Sequence, residues 1–141
     1  MRVITDIETL ANTFSCSFLD YDSDKTQVLV INKDINQLQE LKQFLSHVKY
    51  LITLNGIHFD SIVLDWMIKQ PHVTAERIYE VAQIVINQDK YYDVYKPYSK
   101  HKWNHSWIDI DLFCYWSKGL RQSKKLSLKY FAVNMDMDIQ E

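Results

Sequence analysis

The sequence predicts an α/β domain: a mixed five-stranded sheet, three antiparallel strands followed by parallel ones, flanked by helices. Three observations carry this expectation. Three strand-like segments stand close together at the start, near enough in sequence to form an antiparallel meander. Segments of helical spacing then alternate with short apolar runs, the order of a sheet with helices on its faces. Finally, 141 residues that are 47% hydrophobic and 24% charged match the size and composition of one folded domain. Such a chain buries roughly two-thirds of its unfolded surface.

Residues 2–6 read as the first strand, running into Asp6 and Glu8. Residues 13–19 alternate Phe14, Cys16 and Phe18 against Ser15 and Ser17, the period of a half-buried strand. Asp20, Asp22, Ser23 and Asp24 mark a turn, because such side chains bond their own backbone. Residues 27–31 are apolar and β-branched, a third strand. Asp34 or Asn36 is placed to cap a helix that carries Leu38, Leu41, Phe44, Leu45 and Val48 at helical spacing. Residues 50–54 form a fourth apolar run. After Phe59 the pattern turns helical again, with Ile62, Val63, Trp66 and Met67 on one face, and Thr74 is placed to cap a helix with Ile78, Val81, Ala82 and Val85. Residues 89–106 are polar and aromatic and are predicted as a long surface excursion. A fifth strand over 107–111, a short helix over 113–116 and a final helix over 124–135 complete the expected order.

Glycine and proline number two each, so no flexible linker or low-complexity tract divides residues 1–141, which read as a single domain. The first residues carry no signal-peptide pattern and no apolar run is long enough to span a bilayer, so no membrane association is expected. Cys16 and Cys114 are the only cysteines and are expected to be reduced, buried thiols. The expected compartment is the cytoplasm of a cell or of an infected host. No Gly-rich phosphate loop or nucleophilic serine motif is present.

The net charge of −2 does not mark a nucleic-acid binder, but its distribution is uneven. From Lys96 to Lys129 eight basic residues stand against Asp109 and Asp111, leaving six positive charges there and eight negative ones on the remainder. An acidic body with a basic limb suits a metal nuclease, in which carboxylates hold ions and lysines hold phosphates.

Asp6 and Glu8 point to one face of their strand, since side chains alternate. Two like charges this close repel unless a cation lies between them, and a hard oxygen pair suits Mg²⁺ or Mn²⁺ rather than zinc. Asp60 follows a separate apolar run and reaches the same place if the two strands are neighbours. Two such ions about 4 Å apart activate a water and stabilise the leaving oxygen of a phosphodiester.

Asp6-x-Glu8 and Asn55-x-x-x-Phe59-Asp60 resemble the first two motifs of the DEDD superfamily of 3′–5′ exonucleases, the DnaQ-like proofreading nucleases of ribonuclease H-like fold. Residues 108–112 and 126–132 resemble that family's segments leading towards its third motif. The resemblance covers nearly the whole chain and is closest to the exonuclease domains of phage and related DNA polymerases. It implies removal of nucleotides from DNA 3′ ends in a bacterial or phage-infected cytoplasm, with Asp6 bridging two Mg²⁺ or Mn²⁺ ions, Glu8 completing the tighter site and Asp60 holding the second ion. It also implies that Thr9 and Leu10 contact the 3′-terminal nucleotide and that Asn55 and Phe59 position the displaced strand, with core packing the main role of Phe59. His58 stands at a variable position, reaching a phosphate or facing solvent.

The family's third motif, an Asp with a Tyr or His four or five residues earlier, is not found. Asp136, Asp138 and Glu141 have no such partner. The sequence therefore reads as an exonuclease-like domain truncated before that motif. The alternative reading is a catalytically incomplete relative that binds nucleic acid or a host or replication protein, such as a polymerase. A homodimer that covers apolar surface is a further expectation.

Tyr91, Tyr92, Tyr95, Tyr98, Trp103 and Trp107 interleave with Lys96, Lys100 and Lys102. Aromatics stack on unpaired bases and lysines follow the backbone, so Lys100, Lys102 and Trp103 are candidate contacts to single-stranded DNA. Tyrosine and tryptophan also anchor protein interfaces. His101 and His105 stand four apart, but no cysteine pair or acidic partner accompanies them, and they read as exposed loop histidines rather than a zinc site.

Overall fold

Period-two alternation builds the first half of the sheet. The structure, a computed structural model, describes residues 1–87 and 105–119, with side chains through 115. Strand β1 (Arg2–Leu10) pairs antiparallel with β2 (Thr13–Asp20), which pairs antiparallel with β3 (Thr26–Asn32). In β1 the buried residues are Val3, Thr5 and Ile7, while Ile4, Asp6 and Glu8 point to the other face. The strand runs four residues past its expected end, because pairing with β2 continues from Val3–Asp20 to Leu10–Thr13 and the in–out alternation does not break at the acids. A turn with Asp24 in the left-handed region, φ 55°, joins β2 to β3, and the Asp24 N–H returns to the Asp20 carbonyl at 2.9 Å.

Helix α1 (Leu38–Ser46) follows, and β4 (Tyr50–Thr53) then lies parallel to β1, with Arg2 opposite Tyr50 and Ile4 opposite Ile52. A 3₁₀ turn (Gly56–His58) leads into α2 (Asp60–Lys69) and then α3 (Ala75–Ile86). Strand β5 (Ile108–Asp111) adds parallel to β4, and α4 (Leu112–Gly119) continues directly from it. The result is an open five-stranded mixed sheet in the order β3-β2-β1-β4-β5, with β1 at its centre and helices flanking it.

One face of the sheet carries the core. Val3, Ile7, Phe14, Cys16, Phe18, Leu29, Ile31 and Leu51 pack against Leu41 and Leu45 of α1, Leu64 and Met67 of α2, and Ile78 and Ala82 of α3. Each such aliphatic or aromatic side chain, fully buried, contributes about 1.5–3 kcal/mol. Cys16 is buried, and burial pushes its thiol pKa up, so it behaves as a small core residue. Cys114 is only half-buried, against expectation.

Helix α2 departs from the single apolar face expected of it. Asp60 through Asp65 and Met67 are all buried, three of them polar: Asp60, Ser61 and Asp65. A helix placed between a sheet and two other helices has little solvent-facing surface, so its polar groups need internal partners. They find them, and those partners define the site. The final helix expected over 124–135 and most of the excursion over 89–106 lie outside the described residues.

Candidate functional site

The β1–β4 pairing ends at Ile4–Ile52, and β4 itself ends one residue later, at Thr53. A crevice between diverging parallel strands is where an open α/β sheet collects ligands. Ile7 lies beyond the last β1–β4 pair, so its N–H has no strand partner on that side. The Asp60 carboxylate supplies one: its Oδ1 accepts from the Ile7 N–H at 3.2 Å. A residue at the first turn of α2 is thereby fixed to the central strand, 53 positions away.

Burial, first of all, pushes the Asp60 carboxyl up to about 6, and the charges of Asp6 and Asp111 push in the same direction. Backbone N–H groups of Ile7 and of Asp60 itself oppose the shift without cancelling it. Asp6 and Asp60 are thus close enough to feel one another's charge, one exposed on β1 and the other 5% exposed on α2. Glu8 is exposed two residues further along the same face as Asp6. Among the described residues no three His, Cys, Asp or Glu side chains form a ready-made metal-ligand group. A divalent cation held between Asp6 and Asp60 would offset both the repulsion that raises Asp60 and the burial of its carboxylate.

The loop that delivers Asp60 is built around an acid whose role was not expected from the sequence. Asp111, at the end of β5, is 5% exposed. Its Oδ1 accepts from the Asn55 N–H at 2.8 Å and its Oδ2 from the Ile57 N–H at 3.2 Å. Oδ1 also accepts from the Phe113 N–H at 2.9 Å and the Cys114 N–H at 3.4 Å. One carboxylate thus caps the start of α4 and ties down the 3₁₀ turn. Asn55 holds the left-handed conformation, φ 65°, which Asn tolerates better than most residues. Gly56 then passes so close over Thr53 that a Cβ would lie 2.1 Å from its Oγ1, so only glycine fits. Among the described residues the buried Thr53 hydroxyl finds no hydrogen-bond partner.

The other candidates divide clearly. Thr9 is half-buried and Leu10 is 57% exposed, both at the open end of β1. His58 is exposed on the 3₁₀ turn, and Asn55 is exposed beside it with its backbone N–H bound to Asp111. Phe59 packs against the main core and against a smaller cluster of Ile62 and Val85, as expected of a core residue. Lys100, Lys102 and Trp103 lie outside the described residues, as do His101, Asp136, Asp138 and Glu141.

His105 corrects an expectation. Its side chain is 3% exposed rather than open to solvent, and acidic partners surround it. Nδ1 lies 3.3 Å from Asp65 Oδ1 and Nε2 lies 3.1 Å from Asp109 Oδ2. The ring stacks on Trp107 with centroids 4.1 Å apart. Trp107 Nε1 donates to Ser61 Oγ at 3.0 Å, Ser61 Oγ donates to Asp109 Oδ1, and Lys69 pairs with Asp65. Asp109 stands four residues after His105, so part of this group was visible in the sequence; Asp65, 40 residues away, was not.

No family model, curated protein or solved structure matches this chain.

Proposed function

We propose that this chain is a divalent-metal nuclease domain of the DEDD 3′–5′ exonuclease type, on a ribonuclease H-like fold, acting at DNA 3′ ends. The observation that carries the reading is the meeting of Asp60 with β1. A carboxylate from the helix after β4 reaches the strand that bears Asp6 and Glu8, and its proton affinity responds to Asp6. Further support comes from the strand order, an antiparallel β3-β2-β1 unit continued by parallel β4 and β5, which is the order the resemblance implies.

In this reading Asp6, Glu8 and Asp60 hold Mg²⁺ or Mn²⁺. When bound, the ions supply Lewis-acid activation of water and neutralise charge at the leaving oxygen. The chain's own residues do the positioning. Asp6 and Glu8 share the open face of β1, where a phosphodiester has access. Ile7 N–H fixes the direction of the Asp60 carboxylate, and Asp111 holds the turn that precedes it. Thr9 and Leu10, at the open end of β1, stand where a terminal nucleotide would lie.

The test is direct. Incubation of the protein with 3′-labelled single-stranded DNA and Mn²⁺ should release mononucleotides, and Asp6→Asn should abolish the release. In parallel, Mn²⁺ should broaden the Ile7 and Asp60 amide signals in the NMR spectrum. Absence of both effects ends the reading. Broadening without cleavage selects the second reading, a catalytically incomplete relative that binds nucleic acid or a replication protein. The sequence favours that reading in one respect: no Tyr or His precedes Asp136 or Asp138 by four or five residues.

A further inference from the structure

The described side chains around His105 form a polar circuit between α2 and β5, and none of them is a candidate metal ligand. A neutral imidazole has one donor and one acceptor nitrogen. Here each ring nitrogen faces a carboxylate oxygen, at 3.3 Å and 3.1 Å. Only the imidazolium donates to both; the neutral ring would set a lone pair against one of the two acids. The charged groups that face the ring among the described residues are Asp65, itself paired with Lys69, from α2, and Asp109 from β5. Among the described residues, two cations balance two anions when His105 is protonated. With it neutral, these groups keep a net negative charge beside a ring that is 3% exposed.

The circuit joins two elements at two levels. His105 bridges Asp65, in the second turn of α2, to Asp109 of β5. Ser61, in the first turn, donates to that same Asp109 and accepts from Trp107. Ser61 immediately follows Asp60, so the first turn of α2 is held from both sides. Asp60 binds β1 through Ile7, and Ser61 binds β5 through Asp109.

We propose that the His105 imidazolium is a pH-dependent pin that clamps α2 to β5 and thereby sets the position of the Asp60 carboxylate against β1. His105 is a positioning residue in this role; it touches neither Asp6 nor Glu8 through any bond described above. Burial alone would lower its pKa, but the hydrogen bonds and charges of Asp109 and Asp65 outweigh burial and hold it above the ordinary 6.5. The pin is therefore set below the ordinary pKa and released as pH rises through the raised value. The inference depends on the nuclease reading only in calling Asp60 a site residue.

An NMR titration of the metal-free protein tests it without reference to activity. In the parent protein the His105 Cε1–H signal should titrate above pH 6.5. The Ile7 amide should show two transitions, one near 6 from Asp60 and a second that coincides with His105. In His105→Gln the second transition should disappear and the first remain. A His105 signal that titrates at or below 6.5, or an Ile7 amide indifferent to it, overturns the proposal. The parent titration decides the matter even if His105→Gln does not fold. Loss of Mn²⁺ binding with both transitions intact would remove the nuclease reading and leave the pin standing.

Discussion

Asp60 is held in a way that favours its neutral form. Burial and the neighbouring Asp6 raise its carboxyl to about 6, from an ordinary 3.8. Between these values the folded state binds the extra proton, so this contribution to stability is complete below about pH 4 and is lost as pH rises through 6. At pH 8 the ionised carboxylate burdens the metal-free fold. Asp60→Asn keeps an oxygen acceptor for the Ile7 N–H and removes the charge. It should raise stability by about 1–3 kcal/mol at pH 8 and give no gain near pH 4, as read from urea unfolding at the two pH values. Stability surrendered at a site is the usual sign of a position kept for function. The adjoining turn offers a contrasting pair. Thr53→Val removes a buried hydroxyl that has no partner among the described residues, and should be neutral or stabilising by up to about 1 kcal/mol. Gly56→Ala forces a methyl into Thr53 and should cost about 1–3 kcal/mol. Chemical denaturation of both variants checks the sign.

Among the elements, the two ends of the helices show which local rules prevailed. Thr74 caps α3 as its position predicts, its Oγ1 accepting from the Arg77 N–H at 3.2 Å. Thr74→Ala should cost about 1 kcal/mol, measured by thermal unfolding, with Thr74→Ser restoring most of it. The start of α1 is different. Asp34 or Asn36 is the expected cap; Gln37 occupies the position itself and makes no side-chain bond to the helix. Its Oε1 accepts instead from the Val30 N–H at 2.8 Å, covering part of the exposed edge of β3. Asn36, one residue earlier, donates to the Val73 carbonyl at 2.9 Å and accepts from the Leu38 N–H at 3.3 Å. A partner 37 residues away took the Asn36 amide N–H and a strand N–H took the Gln37 carbonyl, while Asn36 Oδ1 still serves the first N–H of the helix. The same reason explains what was legible in the sequence. Phe14, Cys16 and Phe18 declare β2 by period alone, and the meander follows. Asp65 and Ser61 declare nothing, because their partners His105 and Asp109 are 40 and 48 residues distant. His105 was misread as a surface residue for want of those partners.

At the scale of the whole molecule, the site lies on the seam between two halves of the sheet. On one side is the antiparallel unit of β1, β2 and β3; on the other, β4 and β5 with the helices that follow them. Asp6 and Glu8 belong to the first half and Asp60 to the second, joined by the Ile7–Asp60 bond. A cation held by both halves binds the folded chain and not the unfolded one, so it must raise global stability. At a free concentration a hundredfold above Kd the gain is about 2.7 kcal/mol. The gain also has a pH dependence fixed by Asp60. A carboxyl that titrates near 6 is a ligand above that pH and a competitor for protons below it. Mn²⁺ should therefore raise the unfolding temperature clearly at pH 7.5 and little at pH 5. Asp6→Asn should remove the effect at 7.5, and it should also lower the Asp60 transition, since one of the charges that raises it is gone. An Mn²⁺ effect equal at both pH values, or unchanged by Asp6→Asn, would place the cation elsewhere on the molecule and leave the seam without the role assigned to it.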